Sequence, residues 1–320
     1  MLLRVLQTTV QVLRILPPAV AWRLGAGLGD LAGRLPLRDV RRCREHLARA
    51  FPERPTAWHR RTTHGCFRHF GATSLWTLAT WTRDAASLRR GIVVEGAEHL
   101  RAAARAARRG EGAIAFAGHF GNWELIARVL GGLLPLTVIG KRLRHPAFDR
   151  LVQDHRAQGG AGVVYQDGDI RDLVRLLRQG RIIATLADQD VPDLAGCFVP
   201  WFGEAAYTPV APAALALLAR TDVQCCHLYR HHGRWILHLS PRLRFPRGPD
   251  RVADQLAITA WATAYEEALV RRHPEQWVWW HKRWRTRPEG LQPSRSLQVN
   301  SPAAANGAAR IRSRDRSMSA

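Results

Sequence analysis

His119 and Glu124, in the run Gly118-His119-Phe120-Gly121-Asn122-Trp123-Glu124, place an imidazole and a carboxylate within one turn of chain. Such a pair can make a general base. The carboxylate holds one ring nitrogen protonated, and the other is left to take a proton from a hydroxyl. In mid-helix the two side chains would diverge, because each step turns about 100°. His119 must therefore sit in a loop and Glu124 in the first turn of a helix, with Gly118 and Gly121 supplying the backbone freedom. The same spacing also arises from a surface histidine followed by a carboxylate that favours a helix start. The surrounding elements have to decide.

Gly112–Ala117 is a short apolar run of the kind that forms a buried parallel strand, and Leu125–Leu134 reads as a helix with Asn122 as its N-cap. The intervening loop then lies at the carboxyl end of a strand, the usual place for chemistry in α/β sheets. Alternation continues along the chain. Strands are expected at 92–95, 113–117, 136–139, 162–165, 182–186, 224–229 and 235–239, and helices at 99–109, 122–134, 147–158, 170–178, 211–220 and 252–272. This pattern predicts an α/β fold, a mixed and largely parallel sheet flanked by helices.

Two further segments carry candidate residues. Asp188-Gln189-Asp190 follows the apolar run Ile182–Leu186 and should also stand at a strand end, either as site carboxylates or as a capping turn. Near the carboxyl terminus Trp277, Trp279, Trp280 and Trp284 alternate with His281, Lys282 and Arg283. Aromatic bodies beside basic heads suit a membrane interface or a phosphorylated glycolipid, and core packing of the tryptophans is the alternative. The basic residues at 282, 283 and 285 are expected to face outward.

The 48 basic residues exceed the 26 acidic ones to give a net charge of +22, which favours polyanionic partners. Only Lys141 and Lys282 are lysines, so part of the arginine excess reflects composition rather than function. No zinc-finger spacing, RNP1-like run or basic helix with heptads supports nucleic-acid binding, which stays as the alternative class. The five cysteines show no CxxC pair and are expected to be reduced and mostly buried, with no metal site. Leu2–Leu16 reads as an amphipathic helix stopped by Pro17-Pro18, lying on a bilayer surface or docked on the core. No stretch reaches the roughly 18 to 20 apolar residues that span a membrane. Three regions follow: a membrane-associated segment 1–35, a domain 36–290, and a disordered basic tail 291–320.

Gly-His-Phe-Gly-Asn-Trp-Glu resembles the signature of the bacterial lipid A biosynthesis acyltransferases, which are related to the phosphatidylinositol mannoside acyltransferases. Further similarity follows in order: Cys43–Glu53, then Ala187–Asp190 with Phe198–Gly203 and Ala206–Thr208, then Pro274–Trp284. The resemblance covers about residues 1 to 290 and implies a glycerolipid-acyltransferase-like fold. It implies transfer of a fatty acyl chain from an acyl carrier protein or coenzyme A thioester to a hydroxyl of a lipid A precursor or related glycolipid. No other cofactor is implied. His119 would be the general base and Glu124 its orienting partner, with Arg156, Asp188, Gln189, His281 and Arg283 on the substrate side, Asp188 orienting a basic group or the acceptor; Arg142 or Arg150 could stand in for Arg156. The expected location is the cytoplasmic face of the inner membrane, peripheral or amino-terminally anchored. A catalytically silent lipid-binding relative would share the same blocks.

Overall fold

The structure is a computed structural model that describes residues 15–288. The tail expected from Leu291 lies outside the described residues, as does the helix expected over Leu2–Leu16 except for its last two residues.

Within the described residues four helices precede the first strand: α1 (Pro18–Arg34), α2 (Arg38–Ala50), α3 (Thr56–Ala79) and α4 (Ala85–Arg90). Strands and helices then alternate as β1 (Ile92–Glu95), α5 (Ala97–Arg108), β2 (Ala113–Ala117), α6 (Trp123–Leu130), β3 (Leu136–Gly140), α7 (Pro146–Ala157), β4 (Gly162–Tyr165), α8 (Ile170–Arg178) and β5 (Ile182–Leu186). A hairpin of β6 (Gly196–Trp201) and β7 (Glu204–Pro209) precedes α9 (Ala211–Ala219), β8 (Asp222–His231), β9 (Arg234–Leu239) and α10 (Arg251–Arg272). The main sheet runs β1-β9-β8-β2-β5-β3-β4. Only β8 and β9 pair antiparallel; its other neighbours are parallel. The expected mixed, largely parallel sheet flanked by helices is what the chain forms.

β2 lies at the centre, buried along its whole length. Its alternating side chains serve two layers: Ala113, Ala115 and Ala117 pack with α6, while Ile114 and Phe116 pack with α9 and α10. The small alanines let α6 lie close above the sheet. That helix ends at Leu130, one turn before the expected Leu134, because Gly131 fits against the 159–161 turn, where a Cβ would meet Ala161 N at 2.5 Å.

The β6–β7 hairpin was not among the expected strands. Pro200 and Pro209 lie inside it and weaken a strand reading, a placement tolerated in a two-stranded ribbon. Its turn residues Phe202 and Gly203 both have positive φ, 53° and 80°, as a two-residue hairpin requires. Glycine is usual there; at Phe202 the backbone N–H is held by Glu267 Oε2 at 2.7 Å and the ring joins an aromatic cluster with Phe51 and Trp279.

α1 packs on α3 by an unusual face. Its buried residues are Ala21, Gly25, Ala26, Gly29 and Gly33, and a Cβ on Gly25 would fall 2.3 Å from Gly71 O of α3. The backbones therefore touch. The same close fit turns Val20, Leu24, Leu28 and Leu31 to the outside, with Leu28 62% exposed.

α6 is anchored by Arg128, which is 1% exposed. Its guanidinium donates to Trp81 O at 2.6 Å, to Arg83 O, and to Nδ1 of His155 on α7 at 2.9 Å. The His155 ring stacks on Trp81 with centroids 3.6 Å apart. These contacts dock α7 beside α6.

Burial keeps several histidines neutral: it lowers His69 to about 4, and His155, also facing Arg128, and His227 to about 3, from an ordinary 6.5. These groups take up protons when the chain unfolds near pH 6.5, so their contribution to stability is present above that value and is lost as pH falls. The urea midpoint is expected to decline steadily between about pH 7 and pH 4, measured by tryptophan fluorescence at constant ionic strength.

Candidate active site

β2 and β5 are parallel neighbours, with Ala117 opposite Leu186. Two residues beyond each strand end stand His119 and Asp188, and the shared register brings them together. His119 Nδ1 donates to Asp188 Oδ1 at 2.8 Å, and the His119 backbone N–H donates to Oδ2 at 2.8 Å. Trp277 Nε1 adds a third donor to Oδ2 at 3.0 Å. Burial opposes charge on Asp188, which is 4% exposed, but the His119 ring and these donors outweigh it and hold the carboxyl well below its usual range.

The partner expected for His119 was Glu124, and the structure places it elsewhere. Glu124 stands in the first turn of α6 and accepts two hydrogen bonds from Arg156 of α7, at 3.0 and 2.7 Å. The reason lies in the docking of α6 and α7: a guanidinium fork meets the carboxylate across the helix pair. The neighbouring strand supplies the carboxylate on the imidazole. Asp188, expected to orient a basic group or the acceptor, lies directly against the ring.

With Nδ1–H committed to Asp188, Nε2 of His119 carries a lone pair. Gln189 Nε2 lies over the ring, 2.9 Å from Nε2 and 3.1 Å from Nδ1 of His119, and donates to His281 Nε2 at 3.0 Å. The amide therefore bridges two imidazoles whose ring centroids are 5.1 Å apart. Burial, reinforced by nearby His119, lowers His281 to about 4, so it is neutral and able to accept this bond. Trp123 closes another side, edge-on to His119 at 5.1 Å. Asp190, the third residue of the segment, turns away and accepts from the backbone N–H and hydroxyl of Thr286 at 2.6 and 2.8 Å.

The loop carrying His119 is fixed from several directions. Asn122 caps α6 through Leu125 N and donates to Thr77 Oγ1 at 3.0 Å. Gly121, at φ +62°, leaves no room for a side chain, since a Cβ would lie 2.0 Å from Leu228 O. The closing segment pairs with the loop as a strand would: Gly121 N donates to Gln276 O at 2.8 Å and Val278 N to His119 O at 3.2 Å.

That closing segment is built differently from its surface-like composition. Trp277, Trp279 and Trp284 are buried with Leu47, Phe51 and Trp201. His46 Nδ1 donates to Trp279 O at 2.7 Å and ties α2 to the block. Lys282 and Arg285 are exposed as expected, but Arg283 is 0% exposed. It donates to Tyr207 O and Thr208 Oγ1 at 2.6 and 2.7 Å, locking β7 to the block. Its expected contact with substrate is replaced by a role inside, where Asp188 and Asp190 offset part of the cost of burying its charge. Trp277 as a donor to Asp188 was missed, although it stood in the quoted block: the indole N–H reads as interface chemistry until the fold turns it inward.

The five cysteines are free, and four of them are buried. Among the described residues no cluster has the composition of a metal site.

These features coincide with what the chain is similar to. It is 28% identical over 287 residues to the lipid A biosynthesis lauroyltransferase of Escherichia coli K12, covering 88% of this chain and 90% of that one. It is 24% identical over 279 residues to the lipid A biosynthesis palmitoleoyltransferase of the same strain, covering 86% and 88%. A phosphatidylinositol mannoside acyltransferase of Mycobacterium tuberculosis H37Rv is 28% identical over 214 residues, 65% of this chain and 64% of the relative. The model of the bacterial lipid A biosynthesis acyltransferases matches residues 5–286, through the tryptophan block that clamps the His119 loop, and the chain belongs to that family.

Proposed function

We propose that this protein transfers a fatty acyl chain from a thioester, on acyl carrier protein or coenzyme A, to a hydroxyl of a membrane glycolipid of the lipid A type, with His119 as general base. The observation that carries the reading is the Asp188 carboxylate on His119 Nδ1, which leaves Nε2 as a proton acceptor at the rim of the site. The acceptor hydroxyl takes the place of the Gln189 amide at Nε2. Its oxygen attacks the thioester carbonyl as its proton passes to His119. Collapse of the tetrahedral intermediate breaks the carbon–sulfur bond, and the proton on His119 goes to the departing thiolate. Asp188 stays ionised throughout and stabilises the imidazolium. Among the described residues no serine or cysteine bonds to His119, so direct transfer is more economical than an acyl-enzyme.

Glu124 enters this reading through Arg156. The carboxylate orients the guanidinium, and Arg156 faces a phosphate or polar group of the glycolipid. The relatives named for lipid A and for a phosphatidylinositol mannoside support an acceptor that is a polyol on a lipid.

Access to such an acceptor follows from α1. No described helix is long and apolar enough to cross a membrane. The exposed row Val20, Leu24, Leu28 and Leu31, with Arg23 and Arg34 on the same helix, suits a helix lying in the surface of an anionic bilayer. The net charge of +22 favours the same surface and an acidic carrier protein. A location at the cytoplasmic face of the inner membrane is consistent with these partners.

Acyl transfer measured with thioester donors and bacterial membranes tests the reading. His119→Ala and Asp188→Asn should each lower kcat by about a hundredfold or more with the fold intact, the second because the imidazole loses its tautomer. Full activity in folded His119→Ala would sink the mechanism, and a wild-type protein inactive with every donor and acceptor would point to lipid binding without catalysis.

Glu124→Gln should act differently, raising KM for the glycolipid by about tenfold or more while kcat falls less. Equal loss of kcat in Glu124→Gln and Asp188→Asn would place Glu124 in the chemical step instead.

Leu24→Glu with Leu28→Glu should reduce co-sedimentation with vesicles containing phosphatidylglycerol while leaving the circular dichroism spectrum unchanged. Undiminished binding by the double variant would remove α1 from the membrane contact.

A further inference from the structure

Glu266 lies on the buried face of α10, directly under the loop that carries His119. It is 6% exposed, and its Oε1 has no hydrogen-bond partner. Its carboxyl group occupies the space where any residue but glycine at 118 would put a side chain: a Cβ there would fall 1.7 Å from Oε1. Asp188, Trp277 and Arg283 are its polar neighbours. None of this was legible as function from the pair that opens the site.

The charges in this pocket decide its state. Asp188 is ionised and Arg283, fully buried, is a cation; the two offset one another. A second carboxylate beside Asp188 would be an uncompensated buried charge, which costs far more than keeping a proton. Burial first, and the Asp188 charge second, raise the Glu266 pKa well above the carboxyl range, against a smaller pull from Arg283. Asp188 already accepts from the His119 ring, the His119 backbone and Trp277. A carboxylate has about four acceptor positions, which leaves one for a further donor.

We propose that Glu266 is a positioning residue of this site: a neutral carboxylic acid, seated in the space left by Gly118, that donates a hydrogen bond to Asp188 and holds that carboxylate against the His119 ring. A carboxylic acid kept neutral by its surroundings is a competent donor at physiological pH. Its bond lowers the basicity of Asp188, so the proton gained in the reaction stays on the imidazole, where the leaving thiolate can collect it. Gly118 is then required for volume alone, since its φ is not in the left-handed region. This assignment rests on the reading of His119 as the base.

Two measurements on the full chain test it. Infrared difference spectroscopy of wild type against Glu266→Gln at about pH 7 should show the carbonyl band of a protonated carboxyl in wild type and its loss in the variant. No such band in wild type, or an unchanged band in Glu266→Gln, overturns the proposal. In acyl transfer, Glu266→Gln should keep kcat within about threefold, because a carboxamide reproduces a neutral donor, whereas Glu266→Ala should lose about tenfold or more in kcat with KM for the thioester unchanged. Loss in Glu266→Gln as large as in Glu266→Ala, or full activity in Glu266→Ala, overturns it. Should Glu266→Ala fail to fold, the infrared band and the Gln variant decide. The infrared measurement needs no substrate, so its failure sinks the assignment of Glu266, while an inactive wild-type protein sinks only the acyl-transfer reading.

Discussion

One carboxylate grips His119 at two points, through the ring and through the backbone N–H. This double hold exists because β2 and β5 run parallel and in register, so residues the same distance past each strand end face one another. Slipping that register by one residue would turn both side chains to opposite faces of the sheet. The remainder of the site serves the same alignment. Gly121 lets the loop bend under Leu228, Asn122 starts α6, and the 276–278 segment pairs with the loop from above. The geometry of this imidazole is thus a property of the sheet before it is a property of the loop.

Much of this architecture is legible in the amino-acid order. The runs 113–117, 170–178 and 182–186 coincide with elements because their apolar residues follow strand or helix period and glycines or polar residues bound them. The β6–β7 hairpin is hidden by its prolines and by a phenylalanine at positive φ, both sustained by tertiary contacts that no local pattern encodes. The site residues were visible as types, but their pairing was not. Local spacing draws His119 to Glu124, while strand order, set by a crossover that joins residues 69 apart, brings Asp188, and the docking of α7 sends Glu124 to Arg156. Glu266 did leave one trace: it shares a helical face with Ala262, Leu269 and Val270, and a carboxylate on a buried stripe needs a reason.

α1 reverses the ordinary amphipathic arrangement. A docked helix usually buries its leucines, yet here glycine and alanine make the contact and the leucines stay outside. Close backbone approach gains dispersion contacts along α3, and the apolar row is left available. The tryptophan block inverts expectation in the other direction: a stretch with the composition of a membrane interface forms interior packing, and its buried arginine is a strut. Backbone contact and hydrogen-bond demand separate the two segments.

The clamp at 276–278 has a consequence for how the molecule comes into being. Gln276 is 2% exposed and its amide bonds the backbone of Arg230 in β8, so the segment docks only on a sheet whose later strands are already in place. During synthesis the imidazole and its carboxylate, 69 residues apart, both emerge long before residues 276–278, which seat the loop. An incomplete chain therefore carries the imidazole and its carboxylate without the segment that aligns them, and the alignment is completed late, when residues 276–278 dock.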